Sequence, residues 1–445
     1  MDLQGKTVVV VGLGKSGISA ARLCAARGAS VVATDRARQD QLSHELRTLG
    51  AELKLGGHEG VDFEGADLVV ISPGVPTFPE LEAAEAKGVP VIGELELALR
   101  FVSAPVVAVG GTNGKSTTTT LLGHLFEAAE RRVFVGGNLG IPASDAVGTD
   151  LELMVLEVSS FQLERAPTFR PRAAILLNIS EDHLDRYESF QAYADTKGLA
   201  FVNQTDSDFA FCPHNDAACL AQVRRGKGNL ITFGAGGDYE HGVREVRERL
   251  SGEVFSLEGV DLHGTHNISN AAAAIAVART FGVSSVEVSE GLARFCALPH
   301  RMALTAIVQG VHFYNDSKGT NVGAAVTALT GLTEEKVVLI AGGRDKHGDY
   351  RPLAEALLSK GRALVVLGEA KERIAEAVGS SLPVERVSSM HEAVERAFGL
   401  AQAGDAVLLS PACSSLDMYK NYVERGEQFA AAVKWLREKS QGGPK

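Results

Sequence analysis

The stretch VVAVGGTNGKSTTTT, Val106 to Thr120, leaves a chain few ways to fold. Its apolar, mostly β-branched start, Val106 to Val109, suits a buried strand. Glycines open a turn, and Ser116 to Ala129 continues with helical periodicity. A strand that enters a helix through such a loop belongs in a parallel α/β layer. The ending Gly114-Lys115-Ser116 is that of a phosphate-binding loop, but the usual earlier glycine is replaced by Val109. In the loop from Gly111 to Thr117, backbone N–H groups of Gly111, Thr112, Asn113, Gly114, Lys115 and Ser116 can wrap phosphate oxygens. Lys115 can neutralise β/γ charge, and the Ser116 hydroxyl can ligate Mg²⁺. A plain glycine turn with an exposed lysine is the structural alternative.

Similar units flank this one. Thr7 to Val11 forms a strand that meets Gly12-x-Gly14-x-x-Gly17, and a helix follows over Ser16 to Arg27. A second strand, Ser30 to Ala33, leads to Asp35. That is the dinucleotide fingerprint, and an NAD site, another nucleotide site and a tight turn all stay open. Further strands fit Asp67 to Ile71 and Val89 to Ile92, with Ser103 to Val107 as a linker. The central segment adds strands at Leu153 to Val158 and Ala173 to Leu177. It then has an antiparallel patch between Gly242 and Gly264, and a helix ending at Gly282. From Pro299 the chain reads as a hairpin around Gln309-Gly310. Strands follow at Val337 to Ala341, Ala363 to Leu367 and Ala406 to Leu409, and KSQGGPK closes as a loose tail.

The 445 residues suit two or three domains, and 45% hydrophobic content supplies their cores. A net charge of −11 argues against general nucleic-acid or anionic-membrane binding. The cysteines Cys24, Cys212, Cys219, Cys296 and Cys413 form no zinc pattern and read as reduced thiols of a cytoplasmic protein. The N-terminus runs straight into a strand, so it is not a signal peptide, and no window suits membrane insertion.

Several acidic and basic positions follow strands. Glu157 closes LMVLEVSS, a place from which a carboxylate beside a phosphate loop can hold Mg²⁺; a solvated strand end is the alternative. His183, in NISEDHLDRY, is a metal-ligand candidate if it converges on Glu157, and otherwise a packed or surface histidine. Arg301, in LPHRM, could stabilise a transferring phosphoryl group. Asp316 and Lys318, in NDSKGTN, could reach ribose or phosphate. Singly, each is more often a surface charge.

Taken in order, GTNGKST, LEVSSFQLE, LNISEDHLDRY, GTHNISNAAAA, LPHRM, NDSKGTN, GGRDK and LLSPACSSLD resemble the Mur ligases, the ATP-dependent amide ligases of peptidoglycan precursor synthesis. In that family the loop lacks the early glycine. The resemblance spans nearly the whole chain, and SPACSSLD and GGRDK point to the D-glutamate-adding branch.

It implies three α/β domains. These are a Rossmann-like UDP-substrate domain (1–102), a central P-loop ATPase-type domain with a mainly parallel sheet plus a small antiparallel one (103–298), and a Rossmann-like amino-acid-binding domain (299–445). It implies ATP and two Mg²⁺ ions, with UDP-N-acetylmuramoyl-L-alanine and D-glutamate as small-molecule substrates of a monomer. Ser116 and Glu157 would hold one Mg²⁺; His183 and a carbamylated Lys197 would serve the second. Lys115, His183, Lys197 and Arg301 would be catalytic. Asn267, Asp316 and Lys318 would join the loop at ATP. The UDP substrate would meet Gly14, Lys15, Ser16, Asp35, Arg36, Ser72, Gly74, Asn138, Ser159 and His183. Thr320, Lys346, Ser415 and Tyr422 would cradle D-glutamate. A folylpolyglutamate-synthase-like ligase and a P-loop or NAD-binding regulator are the other readings.

Overall fold

The computed structural model describes residues 1–182, 186–345 and 348–441. Its fold is mixed α/β, as expected, and is built on three sheets. The chain divides into two compact units. One comprises Met1–Ile179, Tyr187–Glu240 and Ala273–Gly291; the other comprises Ser180–Arg186, His241–Ala272 and Leu292–Lys445.

The first unit carries a wholly parallel sheet in the order Glu52–Leu55, Ser30–Asp35, Thr7–Val11, Leu68–Ile71, Val91–Gly93. Its central strand, TVVVV, is buried on both faces, which is why it reads as a continuous apolar run. The Lys15–Ala26 helix packs very closely on the turn before it. A Cβ at Gly17 would lie 1.8 Å from the Gly12 carbonyl oxygen, so the third glycine of the fingerprint is a packing requirement. The same unit holds a second parallel run in the order Val133–Gly137, Leu153–Glu157, Val106–Gly110, Ala173–Leu176, Phe209–Pro213, Asn229–Phe233. The phosphate-loop strand lies between the strands that end at Glu157 and Leu176.

In the second unit, Glu245–Glu248 and Val254–Ser256 pair antiparallel, as the alternating pattern predicts. The Ala303–Val308 and Val311–Asn315 hairpin turns at Gln309 (φ 48°) and Gly310 (φ 81°), the backbone a two-residue hairpin favours. Ala406–Leu409, Val337–Gly342, Gly361–Leu367 and Val384–Arg386 continue that sheet in parallel.

Two differences from the sequence reading stand out. Helices begin at Lys15 and Lys115, one residue earlier than predicted, because Gly14 and Gly114 are the residues that leave the helical conformation. The C-terminal helix runs Tyr422–Gln441, taking in the first three residues of the expected tail. The Lys439 ammonium lies 4.5 Å from the Trp435 ring centre and 3.1 Å from Glu395, which ties down the last turn. Among the described residues no helix is long and apolar enough to cross a membrane.

Candidate active site

In each of the three sheets some candidate residues follow the C-terminal ends of parallel strands, where open α/β sheets bind ligands. In the first sheet, the loops after Val11 and Ile71 leave from neighbouring strands. The first carries Gly14 and enters the helix that begins with Lys15 and Ser16; the second carries Ser72 and Gly74. The Ser72 hydroxyl donates to the Gly12 carbonyl at 2.7 Å, joining the two loops.

Asp35 also bonds locally. One oxygen accepts the Leu13 N–H at 2.6 Å and the other the Ala37 N–H at 2.8 Å. It shapes the glycine turn, which leaves it poorly placed as a free ribose acceptor of the NAD type. A cavity of about 600 Å³ lies beside the turn, walled by Gly14, Lys15, Ser19, Arg22, Ile141 and Asp145 among others. Ser16, Asp35, Arg36, Ser72 and Gly74 do not line it.

The phosphate loop is braced from the next strand. Asn178 Oδ1 accepts the Asn113 N–H at 2.9 Å, and its Nδ2 donates to the Asn113 carbonyl at 3.0 Å. The Asn178 carbonyl takes the Thr112 N–H at 3.0 Å. Lys115 folds back over the loop and donates to the carbonyls of Gly111 (3.0 Å) and Thr112 (2.8 Å). Ser116 and Glu157, 2% and 3% exposed, are in direct contact, the hydroxyl donating to the carboxylate. The other Glu157 oxygen accepts from Asn138 Nδ2 at 2.6 Å. Ser159 caps a short helix, its hydroxyl accepting from the Gln162 N–H at 3.4 Å.

Lys197 lies in the same cluster although it is far along the chain. It is 5% exposed, and its amine donates to the Gly111 carbonyl at 3.0 Å, the oxygen that Lys115 also uses. The Tyr193 ring lies 4.3 Å from that amine, and the Tyr193 hydroxyl is 3.2 Å from Thr112 Oγ1. Asn178 and Tyr193 are absent from the sequence-derived set. Tyr193 could have been found from its spacing of four from Lys197 on the Phe190–Gly198 helix. His183 lies outside the described residues.

The second unit gathers the other candidates. Asp316 is buried at the end of its strand and accepts from Ser410 Oγ at 2.7 Å and the Met302 N–H at 3.3 Å. Burial pushes its carboxyl up to about 7, against the pull of the Ser410 bond and the nearby Arg301 guanidinium. The Lys318 ammonium lies 4.1 Å from the centre of the Tyr422 ring. Arg425, 2% exposed, joins two loops. It donates to Ser317 Oγ (3.0 Å), the Ser317 carbonyl (2.8 Å) and the Cys413 carbonyl (3.1 Å). Burial lowers its pKa to about 10. Thr320 follows on the Asp316 loop, and Ser415 is buried two residues past Cys413. Asn267 donates to the His263 carbonyl at 2.7 Å. Lys346 lies outside the described residues. Sequence reasoning missed Ser410 and Arg425. The motif around Ser410 was the available signal, while Arg425 is an arginine in a surface-like helix pattern.

Among the described residues no three His, Cys, Asp or Glu side chains group as a metal set. The Ser116–Glu157 pair offers a different donor set, a hydroxyl and a carboxylate, of the hard-oxygen type that suits Mg²⁺.

Three family models match in sequence order: a Mur ligase MurD-like N-terminal domain over residues 6–93, a Mur ligase middle domain over 109–278, and a Mur ligase glutamate ligase domain over 300–413. A UDP-N-acetylmuramoylalanine--D-glutamate ligase of Desulfosudis oleivorans is 44% identical, across 98% of each chain. Among solved structures, a UDP-N-acetylmuramate-alanine ligase from Thermotoga maritima superposes with a TM-score of 0.62 at 21% identity, covering 97% of this chain and 99% of that one. A MurF ligase from the same organism, in complex with ADP, gives 0.61 at 20% identity, covering 98% and 96%. These two similarities bear on the fold.

Proposed function

The chain belongs to the Mur ligase family, and on that premise we propose that it is the ATP-dependent ligase that joins D-glutamate to UDP-N-acetylmuramoyl-L-alanine in peptidoglycan precursor synthesis. The observation that carries this reading is the end-to-end likeness, 44% identity over 98% of each chain, to a ligase of that name. The arrangement of the site residues is compatible with the two-step chemistry of such a ligase. The substrate carboxylate attacks the γ-phosphorus of ATP and gives an acyl phosphate and ADP. The amine of D-glutamate then attacks the acyl carbon, and phosphate leaves as the amide forms.

The difficulty is bringing anions together, so positive groups and backbone dipoles must be in place beforehand. Loop N–H groups from Gly111 to Thr117 and the Lys115 amine would hold the phosphates, and Arg301 would meet the transferring group. Asn267, Asp316 and Lys318 would hold the nucleotide. Ser116 and Glu157 fit one Mg²⁺, and Lys197 as a carbamate, with His183, would serve a second. When bound, Mg²⁺ would screen the charge on the reacting oxygens. The UDP substrate would lie along Gly14, Lys15, Ser16, Asp35, Arg36, Ser72 and Gly74, reaching Asn138 and Ser159. Thr320, Lys346, Ser415 and Tyr422 would receive D-glutamate. We place the reaction in the cytoplasm, on a single chain, where ATP and UDP-linked precursors meet.

Phosphate release with UDP-N-acetylmuramoyl-L-alanine and a panel of amino acids tests the assignment. D-Glutamate is expected to be turned over at least about 10²-fold better than L-glutamate or diaminopimelate, because a polar pocket left unpaired discriminates strongly. Equal turnover would remove the assignment.

A further inference from the structure

Gly426 is the fifth residue of the Tyr422–Gln441 helix, an interior position where glycine weakens a helix relative to alanine. A Cβ there would lie 2.1 Å from His300 Nδ1 and 2.8 Å from both Cγ and Cε1 of the ring. The imidazole therefore rests on bare helix backbone. Asn315, 3% exposed, ties the two together: its Nδ2 donates to the Gly426 carbonyl at 2.9 Å and lies 3.2 Å from His300 Nδ1. Its Oδ1 accepts the Ser317 N–H at 3.2 Å, which sets the direction of the amide. Nδ1 is then an acceptor, and the ring proton sits on Nε2.

His300 is also the first of two left-handed residues around Arg301. His300 has φ 63° and Met302 has φ 52°, conformations that side-chain-bearing residues keep only where their surroundings impose them. The His300 carbonyl accepts the Lys318 N–H at 3.1 Å, and the Met302 N–H donates to Asp316 at 3.3 Å. Backbone bonds thus hold Arg301 on both sides. The His300 side chain packs the turn against the C-terminal helix, and it does so at the one residue of that helix without a Cβ.

We propose that Gly426 is a positioning residue for Arg301: its missing side chain is the seat in which the His300 imidazole holds the strained turn and orients the guanidinium. The inference rests on the reading that Arg301 acts on the transferring phosphoryl group.

Gly426→Ala in the full-length protein is expected to lower kcat about tenfold while leaving the KM for D-glutamate and the binding of UDP-substrate within about twofold, because the effect falls on a transition-state contact. A helix residue that merely packs would not produce that split. The seat itself is read from a double-mutant cycle with His300→Ala. Once the imidazole is gone, adding Gly426→Ala should cost less than about twofold in residual turnover, and both single variants should exceed that. If Gly426→Ala fails to accumulate as folded protein, the double variant should accumulate. Wild-type kinetics in Gly426→Ala, an equal loss in both backgrounds, or failure of both variants to fold overturns the seat. Arg301→Ala separates this from the underlying reading. Unchanged phosphoryl transfer in that variant removes the role of Arg301, while the cycle still reports on the seat.

Discussion

Lys197→Ala is expected to lower ligation by about 10²–10³-fold or more, the usual effect of removing a preorganised charge from a reaction centre. UDP-substrate binding should remain near normal, and formate or acetate should restore part of the activity. The reason lies in how the amine is placed. Lys197 is almost fully buried, and its amine shares the Gly111 carbonyl with Lys115, each at 3.0 Å. Two amines on one carbonyl oxygen lie close together, and two ammonium ions there repel at low dielectric. A lysine in water, with a pKa of about 10.4, would be cationic. Addition of CO₂ to the neutral amine, with release of one proton, gives a carbamate. That reverses the sign of the charge, gives Lys115 an anionic neighbour, and offers hard oxygen donors to Mg²⁺. In the alanine variant a short carboxylate can occupy the vacated space. Near-normal turnover without Lys197, or intact-protein mass and electron density showing an unmodified amine in the Mg²⁺-loaded active state, would defeat this account.

What the sequence revealed and what it concealed follow from the range of the interactions. The loop Gly111 to Thr117 and the turn Gly12 to Gly17 were legible because local backbone chemistry dictates them. Glycine is needed where the chain turns or comes very close to itself, and apolar β-branched runs precede it. Glu157 was legible as a strand-end carboxylate. The strand Glu52–Leu55 was not, because two of the four residues of ELKL, Glu52 and Lys54, are poor strand formers and it lies at a sheet edge. The braces were concealed for another reason. Asn178 acts on Asn113, Ser410 on Asp316 and Arg425 on Ser317, across sequence separations of 65, 94 and 108. No periodicity encodes such pairs. Ser159 shows the converse: a substrate-contact residue by resemblance, it also has a local task as a helix cap.

Asp316→Asn is expected to make the ligand-free protein more stable at pH 8 while lowering turnover by about 10²-fold, the scale of losing one preorganised polar group. Burial raises the folded-state pKa of Asp316 to about 7, above the ordinary aspartate value near 3.9 that the unfolded chain would have. The direction of the pH effect follows. Between about pH 4 and pH 7 the folded protein holds a proton that the unfolded chain has released, so folding stability falls as pH rises through that window and levels off above it. At pH 8 the buried carboxylate costs up to a few kcal/mol.

Asparagine keeps the shape and never ionises. Its Oδ1 can accept the Met302 N–H, and its Nδ2 can donate to Ser410 Oγ, the two partners that Asp316 already has. The stability difference between variant and wild type should therefore be small near pH 4.5 and grow to pH 7, as read by urea midpoints across that range. A difference that does not change with pH, or a less stable variant at pH 8, would refute the argument. On the proposed reading, the wild-type protein would tolerate this cost because the charge is useful once ligands arrive. A carboxylate beside Arg301, in the loop that carries Lys318, can fix the guanidinium and bind the nucleotide in a way that a neutral amide cannot.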